Sequence, residues 1–101
     1  MEGIKFDSGK PLMSLIPARA ETAMAEVLTF GATKYGPDNW RKVTNGDQRY
    51  LDALMRHVNS HRRGELLDSE TGLPHLAHAM CCVAFLLELQ LNPYPPETVQ
   101  P

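Results

Sequence analysis

The 101 residues, 43% hydrophobic and 22% charged, make one domain and exclude a second, because a domain most often takes roughly 100 to 150 residues. The formal charge of −2 argues against a dedicated nucleic-acid binder, which would carry a basic excess to displace counterions from phosphates. The sequence lacks an apolar run of about 18 residues, and Lys5, Asp7 and Lys10 stand where a secretory signal needs an apolar core, so neither a membrane span nor an export signal is expected and a cytoplasmic location is.

Residues 1 to 16 have no helical period: Asp7-Ser8-Gly9-Lys10-Pro11 is a turn cluster, and Leu12, Met13, Leu15 and Ile16 give an extended stretch, an arm that can lie on the core. Pro17 suits a first helical position, and Ala20, Ala23, Met24, Val27, Leu28, Gly31 and Tyr35 recur at spacings of three and four, which predicts an amphipathic helix over 18–35, stopped by Gly36-Pro37. The stretch 36–46 is rich in turn formers and is read as a loop carrying the only tryptophan, Trp40.

A second helix is predicted from about 47 to 63, with Tyr50, Leu51, Leu54, Met55 and Val58 as its apolar stripe and Gly64 as its stop. His57 and His61 continue the row of Tyr50 and Leu54 and so belong at the edge of the buried face. After an acidic loop over 65–71, Ser69 or Thr71 is expected to cap a third helix, with Pro74 in its first turn and Asn92-Pro93 ending it near 91. That helix is apolar nearly all round, more than a three-helix monomer can bury, so it should be central in a homo-oligomer. The segment 93–101 has four prolines in nine residues and is expected to be extended. The chain thus divides into an arm (1–16), an all-α core (17–91) and a Pro-rich tail (92–101). Cys81 and Cys82 are adjacent, which is no disulfide framework and fits a reducing compartment.

Charge is unevenly spread. From Lys34 to Arg63 seven basic residues face three acids, whereas from Gly64 onward five acids stand without Lys or Arg, a split that suits a small anionic ligand held by the middle of the chain. Lys10, Lys34, Arg41 and Arg56 are candidate phosphate contacts, guanidinium groups gripping phosphate oxygens in pairs and lysine acting as a point charge. Tyr35 and Trp40 flank Lys34 and Arg41, with Asn39 beside them, an interleave that can stack a base and hold a phosphate or simply be core. Gly9-Lys10 lacks the spacing of a phosphate-binding P-loop, and a cysteine nucleophile within an apolar helix is disfavoured because burial opposes the thiolate.

His75 and His78 share a helix face with Cys82, and all four histidines lie with Glu65 and Asp68 inside 22 residues. Imidazoles suit zinc, manganese, iron or nickel better than magnesium, although the spacing matches no specific zinc signature and helix-terminal histidines also serve as hydrogen-bond partners of loops. Glu26, near the row of Ala23, Val27 and Phe30, is read either as a ligand for metal or a ligand hydroxyl, or as a surface carboxylate.

The blocks FDSGKPLMSLIP, AEVLTFGATKYGPDNWRKV, RYLDALMRHV and GELLDSETGLPHLAHAMCCVAFLLEL resemble a bacteriophage family described as the N-terminal domain of dATP/dGTP diphosphohydrolase. That resemblance implies cleavage of a purine dNTP to the monophosphate and pyrophosphate in the host cytoplasm during infection. The helix order also looks like a shortened MazG-type bundle, in which an ExxE pair and a later ExxD pair hold magnesium; here Glu21 and Glu26 do not make ExxE, and His75 and His78 occupy the later slot.

The expectation is therefore a homo-oligomeric all-α bundle that takes a small-molecule nucleotide between its helices. Lys10, Lys34, Tyr35, Asn39, Trp40, Arg41, Arg56, His57 and His75 would contact the nucleotide. Glu26, Glu65 and Asp68 would be catalytic, and with His75 and His78 would hold Mg or Mn. The alternative from a different class is a phage decoy that sequesters a cyclic or other nucleotide immune signal without metal or cleavage. A third is a subunit of a larger nucleotide enzyme that docks through the Pro-rich tail.

Overall fold

The structure, a computed structural model, describes residues 2–93. Three helices carry the fold: α1 (Ala18–Tyr35), α2 (Gly46–Arg62) and α3 (His75–Leu91), with short 3-10 turns at Met13–Leu15 and Asn39–Lys42. Among the described residues there is no β-strand, only one antiparallel bridge between Leu67 and Pro74, so the fold is all-α as the periodicity predicts. The expectation for the tail beyond residue 93 lies outside the described residues.

Each helix ends where local chemistry requires it. α1 starts after Pro17, whose carbonyl accepts the Glu21 N–H at 3.0 Å, and Glu21 places its charge at the positive end of the helix. It stops at Gly36, whose φ of 91° a residue with a Cβ adopts only with strain. α2 opens from Asn45 in the left-handed region and closes with Gly64 N–H on the His61 carbonyl and Glu65 N–H on the Ser60 carbonyl, as at a glycine C-terminus. α3 begins at His75 behind Pro74 rather than being capped by Ser69 or Thr71. The Thr71 hydroxyl is used inside the preceding loop instead, as described below.

α3 packs on α2 along one side and on α1 along another. Ala77, Ala79, Cys81, Cys82 and Leu89 of α3 supply the buried apolar groups, and the Cys81 thiol donates to the Met24 carbonyl of α1 at 3.4 Å. α1 meets it with a half-buried stripe, Ala20, Ala23, Met24, Val27, Leu28, Gly31 and Ala32, whose small members let the helices approach closely. The other side of α3 leaves Leu76, Met80, Val83, Leu87 and Leu91 exposed.

The arm does not lie on the core. Ile4, Leu12, Met13 and Leu15 are exposed and Phe6 is 86% accessible. Within the arm, Lys10 N–H closes a turn on the Asp7 carbonyl, and Leu15 and Ile16 N–H close the 3-10 turn on the Leu12 and Met13 carbonyls. Its reach contributes to a radius of gyration of 16.9 Å, against about 13 Å for a compact domain of this length.

Candidate nucleotide and metal site

The loop between α2 and α3 folds back on itself. His75 N–H bonds the Leu66 carbonyl at 2.9 Å and Asp68 N–H bonds the Leu73 carbonyl at 2.8 Å, while Gly72, at φ 71°, bonds back to the Asp68 carbonyl. Asp68 holds the head of this reversal: its Oδ1 accepts from Glu70 N–H at 3.0 Å, Thr71 N–H at 2.9 Å and the Thr71 hydroxyl at 3.2 Å. Thr71 Oγ1 also accepts Leu73 N–H and lies 2.8 Å from His78 Nε2, a network satisfied when His78 donates from Nε2 and Thr71 donates to Asp68.

The antiparallel register of α2 on α3 sets a histidine of one helix against those of the other. His57 Nδ1 is 2.8 Å from His75 Nδ1, and the His57 ring stacks on His78 with centroids 4.6 Å apart and planes 11° from parallel. His75 is 6% exposed and is the buried polar side chain among the described residues; its Nε2 faces Glu65 Oε2 at 3.9 Å. One ligand atom each from His57, Asp68 and His75 lie within 4.8 Å of one another. Burial, reinforced by the neighbouring His78 and His75, pushes His57 below the usual histidine range, and burial does the same to His78 against the pull of Asp68. Burial alone would raise Asp68, but the hydrogen bonds from Thr71 and Glu70 outweigh it and hold the carboxyl below its ordinary range.

Two helical turns away along the same pair of helices is an aromatic trio. Trp40 stacks on Phe85 at 4.6 Å, Tyr50 tilts on Phe85 at 5.0 Å, and the Tyr50 hydroxyl donates to the Trp40 carbonyl at 2.8 Å. The step from Tyr50 to His57 on α2 mirrors that from Phe85 to His78 on α3, roughly 10 Å along the axes at 1.5 Å per residue. Between α1, α2, α3 and the loop lies one open cleft of about 930 Å³, which both clusters line. That volume lies within the range typical of small-molecule sites.

The cleft gathers eight of the residues singled out from sequence, Lys34, Tyr35, Asn39, Trp40, Arg56, His57, Asp68 and His78. Others lie elsewhere. Lys10 sits in the exposed arm. Glu26 is exposed, because the inward row of α1 runs through Val27 and Gly31 and leaves position 26 on the far side. Arg41 donates to the Asn92 carbonyl at 2.9 Å and its guanidinium lies 5.2 Å from the Trp40 ring centroid. Glu65 is exposed outside the cleft lining, and His75 lies behind His57. Sequence reasoning passed over Arg49, Asp52, Glu70 and Thr71, which line the cleft; the run Asp68-Ser69-Glu70-Thr71-Gly72 is a readable Asx-turn pattern that points to Thr71.

The lining is not the cationic surface that the sequence implied. The lining holds Asp38, Asp52, Asp68 and Glu70 as well as Lys34, Arg49 and Arg56. Lys34 is bound to Glu70 at 2.8 Å across the cleft, and that hydrogen bond is the chief reason its pKa rises to about 12. Among the described residues the converging group is His57, Asp68 and His75, without Glu26 or Glu65, so it offers one carboxylate and not the all-oxygen cage that magnesium favours. Cys81 is pushed up to about 12 by burial and by Cys82, and burial raises Cys82, so neither is a thiolate nucleophile. Among the described residues no helix is long and apolar enough to cross a membrane.

The family described as "dATP/dGTP diphosphohydrolase, N-terminal" matches residues 1–97. A dATP/dGTP diphosphohydrolase of Salmonella phage PMBT28 is 44% identical over 92 residues, which is 91% of this chain and 31% of that protein. The chain therefore spans about a third of the length of this relative. No solved structure matches.

Proposed function

The chain belongs to the dATP/dGTP diphosphohydrolase N-terminal family, and from that premise we propose that its cleft binds a purine deoxynucleoside triphosphate and serves its hydrolysis to the monophosphate and pyrophosphate. The observation that carries this reading is the sharing of one cleft by an aromatic and basic wall and a histidine-aspartate cluster. The base stacks at Tyr35, beside the Trp40–Phe85 stack, while Lys34, Arg49 and Arg56 face the phosphates. The oxygen of a water molecule bonds to the α-phosphorus, the bridging α–β P–O bond breaks, and pyrophosphate leaves with the electron pair. The water's proton passes to His78, whose ring lines the cleft stacked on His57. The phage relative supports this chemistry by its described activity, and the same relative supports action in the infected host's cytoplasm.

The test is incubation of the pure protein with dATP, dGTP, pyrimidine dNTPs and cyclic dinucleotides, with magnesium or manganese, followed by denaturation and analysis of the nucleotide. Purine monophosphate and pyrophosphate are expected. Recovery of intact nucleotide after stoichiometric retention would replace hydrolysis by sequestration, the decoy alternative. No retention and no product with any of them would overturn the nucleotide reading.

A further inference from the structure

We propose that His57, Asp68 and His75 form a resident binding site for a divalent transition-metal ion of the zinc and manganese class, and that magnesium is a poor occupant. The proposal deepens the reading above by naming an ion for the same cleft; it rests on that reading only for what the ion is used for.

Two imidazole nitrogens and one carboxylate oxygen converge within 4.8 Å, the two-histidine, one-carboxylate donor set that leaves coordination positions open for water or phosphate. The His57 and His75 Nδ1 atoms face each other at 2.8 Å. Ligand nitrogens at about 2.0–2.1 Å from one ion are separated by roughly 3.0 Å at an octahedral edge and roughly 3.3 Å at a tetrahedral one. Admission of an ion therefore requires the rings to part by about half an ångström, within the reach of small side-chain rotations, with Asp68 turning in to meet it.

What surrounds the three ligands is as informative as the ligands. Metal-bound histidines commonly direct their other ring nitrogen at a carboxylate, which fixes the tautomer and orients the ring. His75 Nε2 lies 3.9 Å from Glu65 Oε2, longer than a hydrogen bond and close enough for a side-chain rotation of Glu65 to make one. Asp68 is likewise held from behind: the three hydrogen bonds it accepts all fall on Oδ1, from two backbone amides and from the Thr71 hydroxyl that also meets His78, leaving Oδ2 for an incoming ion. Glu65 and Thr71 are thus positioning residues. Charge points the same way. The cleft lining has one more carboxylate than cations, so a polyphosphate meets a favourable field there only with added positive charge. Nitrogen donors choose the class of ion, because hard magnesium favours oxygen and keeps its waters.

The experiment is titration of the chelator-stripped 101-residue protein, without nucleotide, with zinc, manganese, cobalt and magnesium, read by calorimetry and by the visible spectrum of the cobalt form. One zinc or cobalt per chain is expected, with nitrogen-ligated cobalt bands and magnesium at least tenfold weaker. His57→Ala, His75→Ala and Asp68→Asn should each abolish tight binding, Glu65→Gln should weaken it by about 10- to 100-fold, and His61→Ala should leave it unchanged. Should the alanine variants lose helicity by circular dichroism, Glu65→Gln, which touches only an exposed side chain, and the wild-type cobalt spectrum still decide. No saturable binding by the wild type, equal affinity for magnesium, or folded His57 and His75 variants with wild-type affinity would overturn the site. Zinc binding without nucleotide retention would remove the nucleotide reading alone; turnover by a protein that binds no transition metal would remove this inference alone.

Discussion

Trp40 is engaged by the protein itself, stacked on Phe85 with the Arg41 guanidinium near its ring, whereas Tyr35, 62% exposed, lines the same cleft with no aromatic neighbour among the described residues. The two rings should therefore respond differently to deletion. Trp40→Ala is expected to lower unfolding free energy by about 3 kcal/mol in urea titrations, since it removes a ring from an aromatic stack. Tyr35→Ala should leave the urea midpoint within error and weaken dATP or dGTP binding by about tenfold in calorimetry, because base stacking contributes on the order of 1–3 kcal/mol. The sequence marks both as aromatic neighbours of basic residues. It does not show which ring packs, because that is decided by Phe85, 45 positions away on another helix. Glu26 follows a related rule: it neighbours the apolar row of α1, but neighbours along a helix point some 100° apart, and its exposed position fits the surface-carboxylate reading. Cys81 carries a pH prediction. Its thiol is held protonated up to about 12 when folded and titrates near 9 when unfolded. The folded chain thus holds an extra proton between those values, and the stabilisation present below pH 9 is lost as pH rises through that window. Between pH 9 and 11 the urea midpoint of the native protein should fall more steeply than that of Cys81→Ala.

At the scale of elements, the site depends on two registers. α2 and α3 run antiparallel so that Tyr50 meets Phe85 and His57 meets His75 and His78, and the reversal over 65–74 aims Asp68 at them. The helices are legible in the sequence because their apolar spacings and glycine stops are local. The reversal is legible only in part, since its pairing of Leu66 with His75 and of Asp68 with Leu73 is a tertiary outcome. Gly72 is where it can be tested. Its φ of 71° penalises a side chain even though a Cβ there would meet open space. Gly72→Ala is expected to destabilise the fold by about 1 kcal/mol, and to reduce zinc affinity far more than the thermal midpoint suggests, by shifting Asp68. Calorimetry beside differential scanning fluorimetry reads both.

At the scale of the molecule, the protomer buries little. No large side chain among the described residues is fully buried, and the outer stripe of α3 and the arm present Leu76, Met80, Val83, Leu87, Phe6 and Leu15 to solvent. A single core this thin stabilises a domain of this length only marginally. The protein is expected to run in light scattering at a multiple of its 11.3 kDa chain mass, with the exposed stripe of α3 at the contact. Val83→Glu together with Leu87→Arg should shift it to the monomer mass and lower its thermal midpoint; an unchanged multimer would place the contact elsewhere. The all-round apolarity of the third helix is the sequence signal behind this expectation, while the arm's detachment has no such signal, because its apolar residues look the same whether they cover their own bundle or a neighbour's.

The bond between Lys34 and Glu70 has a kinetic and ionic corollary. A phosphate that takes the lysine must first evict a carboxylate, so the latch exchanges one anion for another instead of filling an empty socket. Added electrolyte loosens both the closed and the occupied arrangement, and the salt sensitivity of nucleotide capture should be shallower than the number of cations around the opening would lead one to calculate.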